Sequence, residues 1–217
     1  MPYTNLGLYK LHQDLFDKSG SPYIPKPMFD RLASMKVRDY VNAECEKLEV
    51  NQMHTNMIHD LYEPFQKAAS SVIIFPDDIP NFWYLIRFYG KFNVVCGGVT
   101  TTITSPIYKA QNDDIDVLQN DPFNKATDEE PLYLPTKESG KKVFRVFSTT
   151  TPVEINATYI RAPKQIDVTN NPNTVFELPD DSAEQIIREL VLRSDVMIEN
   201  LQRAQAEAPE IAQLNQI

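Results

Sequence analysis

Three histidines, two cysteines and a few acidic runs carry the chemical potential of this chain of 217 residues. His54 and His59 stand five apart, so a helix would turn them to different sides. A zinc-binding helical pair needs a spacing of about four, with a glutamate between. Asp113, Asp114 and Asp116 resemble an oxygen-ligand cluster, but the central glycine and closing glutamate of a calcium loop are missing. Asp77 and Asp78 sit between Pro76 and Pro80 as a turn, and both acidic runs read as solvated loops. Val95-Cys96-Gly97-Gly98-Val99 holds a thiol, yet glycine neighbours do not activate one. No Gly-x-Ser-x-Gly elbow occurs, and Gly140-Lys141 lacks the rest of a phosphate loop. The expectation is a non-enzymatic protein with no catalytic residue, no metal site and no cofactor. Cys45 lies in a helical pattern and Cys96 in a strand-like one, which favours two buried thiols over a disulfide.

The totals narrow the class. The formal charge is −9 and no basic run exceeds Lys141-Lys142, which argues against a protein whose main work is gripping nucleic-acid phosphates. Sixteen prolines against six glycines imply stiff, extended connections, because proline fixes φ and removes a donor. No basic leader precedes an apolar block at the N-terminus, and no apolar run approaches the roughly 20 residues of a membrane span. The protein is expected to act in a cytoplasm, or on something assembled there.

The elements that would position any site follow from periodicity. Leu8, Leu11 and Leu15 predict a short helix over 3–17, ended by Ser19-Gly20-Ser21-Pro22. Met28, Phe29, Leu32, Val37, Tyr40, Val41 and Leu48 predict a long second helix with a break near Val50. Met53, Met57, Ile58, Leu61, Tyr62 and Phe65 extend the helical pattern to about Ala69. Strands follow at Val72–Phe75, Phe82–Phe92 and Val94–Thr104, with Gly97-Gly98 marking a bulge or tight turn. Residues 111–130 read as a long surface excursion with one helical turn near Ile115 to Leu118. Leu132–Leu134, Val143–Phe147 and Val153–Ile160 read as a meander, its first turn at Ser139-Gly140. A C-terminal helix opens on overlapping capping boxes, Asp181 to Glu184 and Ser182 to Gln185. Helices, then antiparallel strands, then a helix make an α+β fold with a central antiparallel sheet or sandwich. Residues 1–24 read as an arm with a short helix, 25–203 as one α+β domain, and 204–217 as a loose tail.

The order of several short motifs resembles a known family. These are Asp60-Leu61-Tyr62-Glu63-Pro64-Phe65, Ile79-Pro80-Asn81-Phe82, and Asp121-Pro122-Phe123-Asn124 followed by Pro131-Leu132-Tyr133. The series ends with the alternating strand Val153 to Pro163 and Phe176-Glu177-Leu178-Pro179-Asp180 before the last helix. Over residues 28–203 the chain resembles ring or head–tail connector proteins of tailed, crAss-like phages, although Asn81 stands where that family usually has aspartate. The resemblance implies a virion structural protein, assembled in the host cytoplasm, that closes head to tail into a ring of about twelve copies. Its partners would be itself, the portal protein and neighbouring ring or tail proteins. Genomic DNA would pass down the lumen during ejection without sequence-specific binding, and no membrane would be involved. An acidic total suits such a passage.

In that frame Trp83, Tyr89, Phe123, Tyr133, Tyr159 and Arg161, with the helix of the 180s, are the expected inter-subunit contacts. The aromatic run Phe82 to Phe92 is either buried on both faces or meets a neighbour on one. Arg161, before the strand-ending Pro163, either pairs with a neighbour's carboxylate or serves its own chain at a corner. A cytoplasmic scaffold or adaptor, and an enzyme of nucleic-acid metabolism, are the rival functions.

Overall fold

The computed structural model describes residues 2–17, 24–48, 57–69, 73–74, 79–110, 120–121, 125–138 and 140–193. They form two compact units, one from Met1–Asp60 with Pro163–Ile217 and one from Leu61–Ala162. Three helices and two four-stranded sheets among the described residues make the α+β class that the patterning predicts.

The first unit is helical. Helix α1 (Asn5–Asp17) is capped by Thr4, whose hydroxyl accepts the Gly7 N–H at 3.1 Å. It is held by backbone bonds from Asn5 N to the Thr174 carbonyl and from Phe176 N to the Tyr3 carbonyl. Leu8, Tyr9, His12 and Phe16 are buried, His12 stacking on Phe16 and meeting Phe29 edge-on. Helix α2 (Lys26–Leu48) buries Phe29, Ala33, Val37, Tyr40, Val41, Glu44 and Cys45, an unbroken 3.6-residue stripe. Helix α3 covers 180–193 and buries Ala183, Ile186, Ile187 and Leu190.

Two expectations change here. The third helix begins at 180, before either capping box places it, since Ala183 N already bonds the Pro179 carbonyl. Ser182 is therefore inside the first turn, where its hydroxyl accepts from Tyr40 and contacts Met57 sulfur. Cys45 is buried as expected, and burial, with Glu44 and Glu46 nearby, pushes its thiol up to about 12. Cys96 is exposed, because the strand that carries it runs past its covering layer.

The second unit is a two-sheet sandwich. One sheet has the order β1 (Tyr62–Ala68), β8 (Glu154–Arg161), β3 (Phe82–Cys96), β4 (Val99–Pro106), antiparallel throughout. The other has the order β2 (Ile73–Ile74), β7 (Lys141–Phe147), β6 (Leu132–Glu138), β5 (Tyr108–Lys109), with β5 parallel to β6. Phe88, Phe92, Ile107, Phe144, Val146, Ile155 and Ala157 form the core between them.

The helical stripe expected to reach Ala69 is corrected. Among the described residues a 3-10 turn, His59–Leu61, leads into β1, so His59 does not lie on a long helix. Pro64 is the reason: within a helix its ring would clash with the preceding turn. On an outermost strand its missing N–H costs little, and β1 is outermost. The meander is corrected as well. β6 and β7 pair as expected, Glu138 facing Lys141 across the turn, but β8 leaves for the other sheet and lies between β1 and β3. The break near Val50, His54, Asp77, Asp78 and the 111–119 passage lie outside the described residues.

Candidate assembly surface

β8 supplies the tightest cluster of expected site residues. Its alternation holds as read, with Ile155, Ala157 and Tyr159 buried and Glu154, Asn156 and Thr158 part-exposed. Tyr159 is 1% exposed and its hydroxyl lies 3.0 Å from both Glu63 Oε2 and the Pro80 carbonyl, sharing one proton between them. Burial, then the Glu63 carboxylate, raises the phenol above its ordinary value. Arg161 Nε donates to the other Glu63 oxygen at 3.0 Å. One β1 carboxylate thus serves both groups on β8, which is possible because Glu63 faces Tyr159 in register. The strand ends when Ala162 N bonds the Asn81 carbonyl at 2.7 Å, and Pro163 has no N–H with which to continue. Asn81 has a φ of 52°, a left-handed conformation that asparagine accepts more readily than most residues. Tyr159 therefore offers no ring to a neighbour, and Arg161 has an ion-pair partner in its own chain.

The other expected contacts do not gather there. Trp83 lies at the register shift between Phe82 and Tyr84 on β3, half-buried. Tyr89 is half-buried and opposes Asn156 and Pro106. Tyr133, on the second sheet, meets Phe88 and Phe144 edge-on, each at 5.4 Å, and so packs inside the sandwich. Phe123 lies outside the described residues. In the 180s helix, Leu192 is exposed at 68%.

No protein-family model matches the chain, and no curated protein does.

The best-defined unsatisfied surface is the β3–β4 hairpin. β3 pairs with β8 only as far as Lys91, opposite Glu154. Beyond it, among the described residues, β3 and β4 pair only with each other up to Cys96 and Val99. Gly97 and Gly98 close the turn with φ of 59° and 83°, the two positive values of a type I′ hairpin. Directly opposed residues share a face. Phe92 and Ile103, Val94 and Thr101, and Cys96 and Val99 therefore continue the core-facing side outward. Burial fades along this stripe: Phe92 is buried, Ile103 and Val94 are half-buried, and Cys96, Thr101 and Val99 are exposed, Val99 at 65%. On the opposite face Val95 is 68% exposed beside Asn93, whose side-chain oxygen accepts from Thr102 at 2.9 Å.

Two features make this arm unlike an ordinary loop. Residues 92–105 contain no charged residue. β4 is also an outermost strand, so among the described residues the arm has no strand neighbour on either edge. Proteins usually blunt such edges with lysine, proline or bulges. Burying one valine is worth roughly 1.5–3 kcal/mol, so covering this arm is worth several kcal/mol. The arm is legible in part: a bulge or tight turn is expected at Gly97-Gly98, but the expected strand Val94–Thr104 is divided there between β3 and β4. The overhang is not legible, because it depends on where β8 stops.

At the base of the arm, Lys91 Nζ lies 2.7 Å from Glu154 Oε1. Hydrogen bonds from Lys91 first, then Asn156, hold the Glu154 carboxyl down to about 2. Among the described residues no three His, Cys, Asp or Glu side chains converge as a metal-ligand group. No described helix is long and apolar enough to cross a membrane.

Proposed function

We propose that this protein is a structural subunit of a tailed-phage virion, closing head to tail into a connector ring between the portal and the tail. The observation that carries this reading is the projecting, uncharged β3–β4 arm, whose core-facing stripe runs on past its own sandwich. In water a bare two-stranded hairpin is marginal, and one with open edges invites pairing with another chain. A neighbouring copy supplies that cover in a ring, where each arm lies on the next subunit and the rotation closes. The role is mechanical rather than catalytic. Its partners are further copies of itself, the portal protein and adjacent ring or tail proteins.

The order of motifs from Asp60 to Asp180 supports the same reading, and so does the charge of −9. A negative lumen repels phosphate, letting the genome slide through without sequence-specific contact. Electron microscopy of the purified protein tests the proposal. Closed rings of uniform diameter, with about twelve subunits, are expected. Single-chain particles or open filaments would count against it.

A further inference from the structure

In the helical unit, a groove of about 590 Å³ lies between α2 and the segment 165–171. That volume is within the roughly 300–1,000 Å³ of ligand clefts. The carboxylates of its walls are already engaged. Asp30 accepts from Val168 N at 2.7 Å and from both the N–H and the hydroxyl of Thr169. Asp167 accepts from Asn170 N and from the side chain of Asn171. Ser34 is also spent, exchanging hydrogen bonds with Ile166. The walls are thus pinned by their own hydrogen bonds rather than awaiting a ligand to order them.

Arg31 and Arg38 stand in contrast. Both line the groove and are exposed, and among the described residues neither has a carboxylate within ion-pair distance. Arg161, Arg188 and Arg193 each have one. Arg87 and Arg145 likewise have no carboxylate partner among the described residues, so what sets Arg31 and Arg38 apart is that both line one groove. Seven residues apart, they project from one helix face about 10.5 Å from each other. Met35, 50% exposed, lies between them in the lining.

We propose that this groove binds an extended, carboxylate-bearing peptide segment of a partner protein, two acidic side chains three residues apart each engaging one arginine. In a polyproline-II strand, residues three apart share a face about 9.3 Å from each other, which matches the arginine spacing. Guanidinium groups pair with carboxylates through bidentate hydrogen bonds, and the Met35 thioether gives the intervening uncharged residues an adaptable floor. A nucleic-acid strand fits less well, because its continuous phosphates would be forced against the Asp30 and Asp167 carboxylates. The peptide places charge only at the two ends. This site does not depend on ring assembly.

Fluorescence anisotropy with a labelled Gly-Glu-Pro-Pro-Glu-Gly peptide tests it. Its glutamine counterpart and a short oligothymidylate serve as comparison probes. Saturable, salt-sensitive binding of the glutamate peptide alone is expected. Arg31→Gln with Arg38→Gln should weaken it about tenfold or more, each single change contributing. An unchanged melting temperature for the double variant shows the fold intact. Equal affinity for wild type and double variant overturns the proposal, as does no saturation up to about 1 mM peptide. Tighter binding of the oligothymidylate than of the peptide also overturns it.

Discussion

Glu63, Tyr159 and Arg161 show how a residue that looks outward in a sequence can be engaged within its own chain. One carboxylate accepts from the arginine on one oxygen and from the phenol on the other, across the β1–β8 pairing. The Arg161 side chain is 15% exposed and that of Glu63 43%, so the pair lies nearer the surface regime than the buried one. Arg161→Ala is expected to cost about 1 kcal/mol, read as a small fall in urea midpoint, with the assembled mass unchanged. A loss of assembly without loss of stability would assign Arg161 to a neighbour instead. Glu154 provides a pH test. Its folded value of about 2 is below the ordinary 4.5, so its stabilising contribution is present above about 4.5 and is lost as pH falls toward 2. Wild type should lose stability over that window more steeply than Lys91→Met, measured by denaturation at several pH values. Parallel slopes would show that the contact is thermodynamically silent.

Among the elements, those stabilised by local signals were the ones legible in the sequence. The α2 stripe from Phe29 to Cys45 is such a case, and so is the Gly97-Gly98 turn. Tyr62–Ala68 reads as helix because its apolar residues suit a helical period, while Pro64 marks the strand that pairing with β8 stabilises. The placement of β8 was hidden for a different reason. Sequence neighbours often pair, but Ile155 and Ala157 complete a core with Phe88 and Phe92, and that long-range packing draws β8 away from β7. Tyr159 and Tyr133 look like contacts in the sequence because large aromatics serve interfaces and cores alike, and sequence does not separate the two uses. The turn gives the element-scale prediction. Neither glycine has an atom near its missing Cβ, so the positive φ alone resists a side chain. Gly98→Val should destabilise the hairpin by roughly 1–2 kcal/mol, whereas Gly97→Asn should be nearly neutral. Hydrogen exchange of the arm amides, faster in the first variant and unchanged in the second, checks this.

At the scale of the whole molecule, the account rests on an imbalance between the sandwich and its arm. The two sheets close over Phe92 and Ile155, while Val94, Cys96 and Val99 carry the same face outward and become progressively more exposed. An uncharged arm of this kind gains stability when another surface covers it, and a second copy of the chain is the proposed cover. The most direct measurement is the mass in solution, by light scattering, of wild type beside a Val94→Ser, Val99→Ser variant. The account predicts a wild-type particle many times the 24.9 kDa of one chain and a folded variant at the mass of one chain. Wild type at 24.9 kDa over the accessible concentration range, or a variant that keeps the full assembled mass, would contradict it.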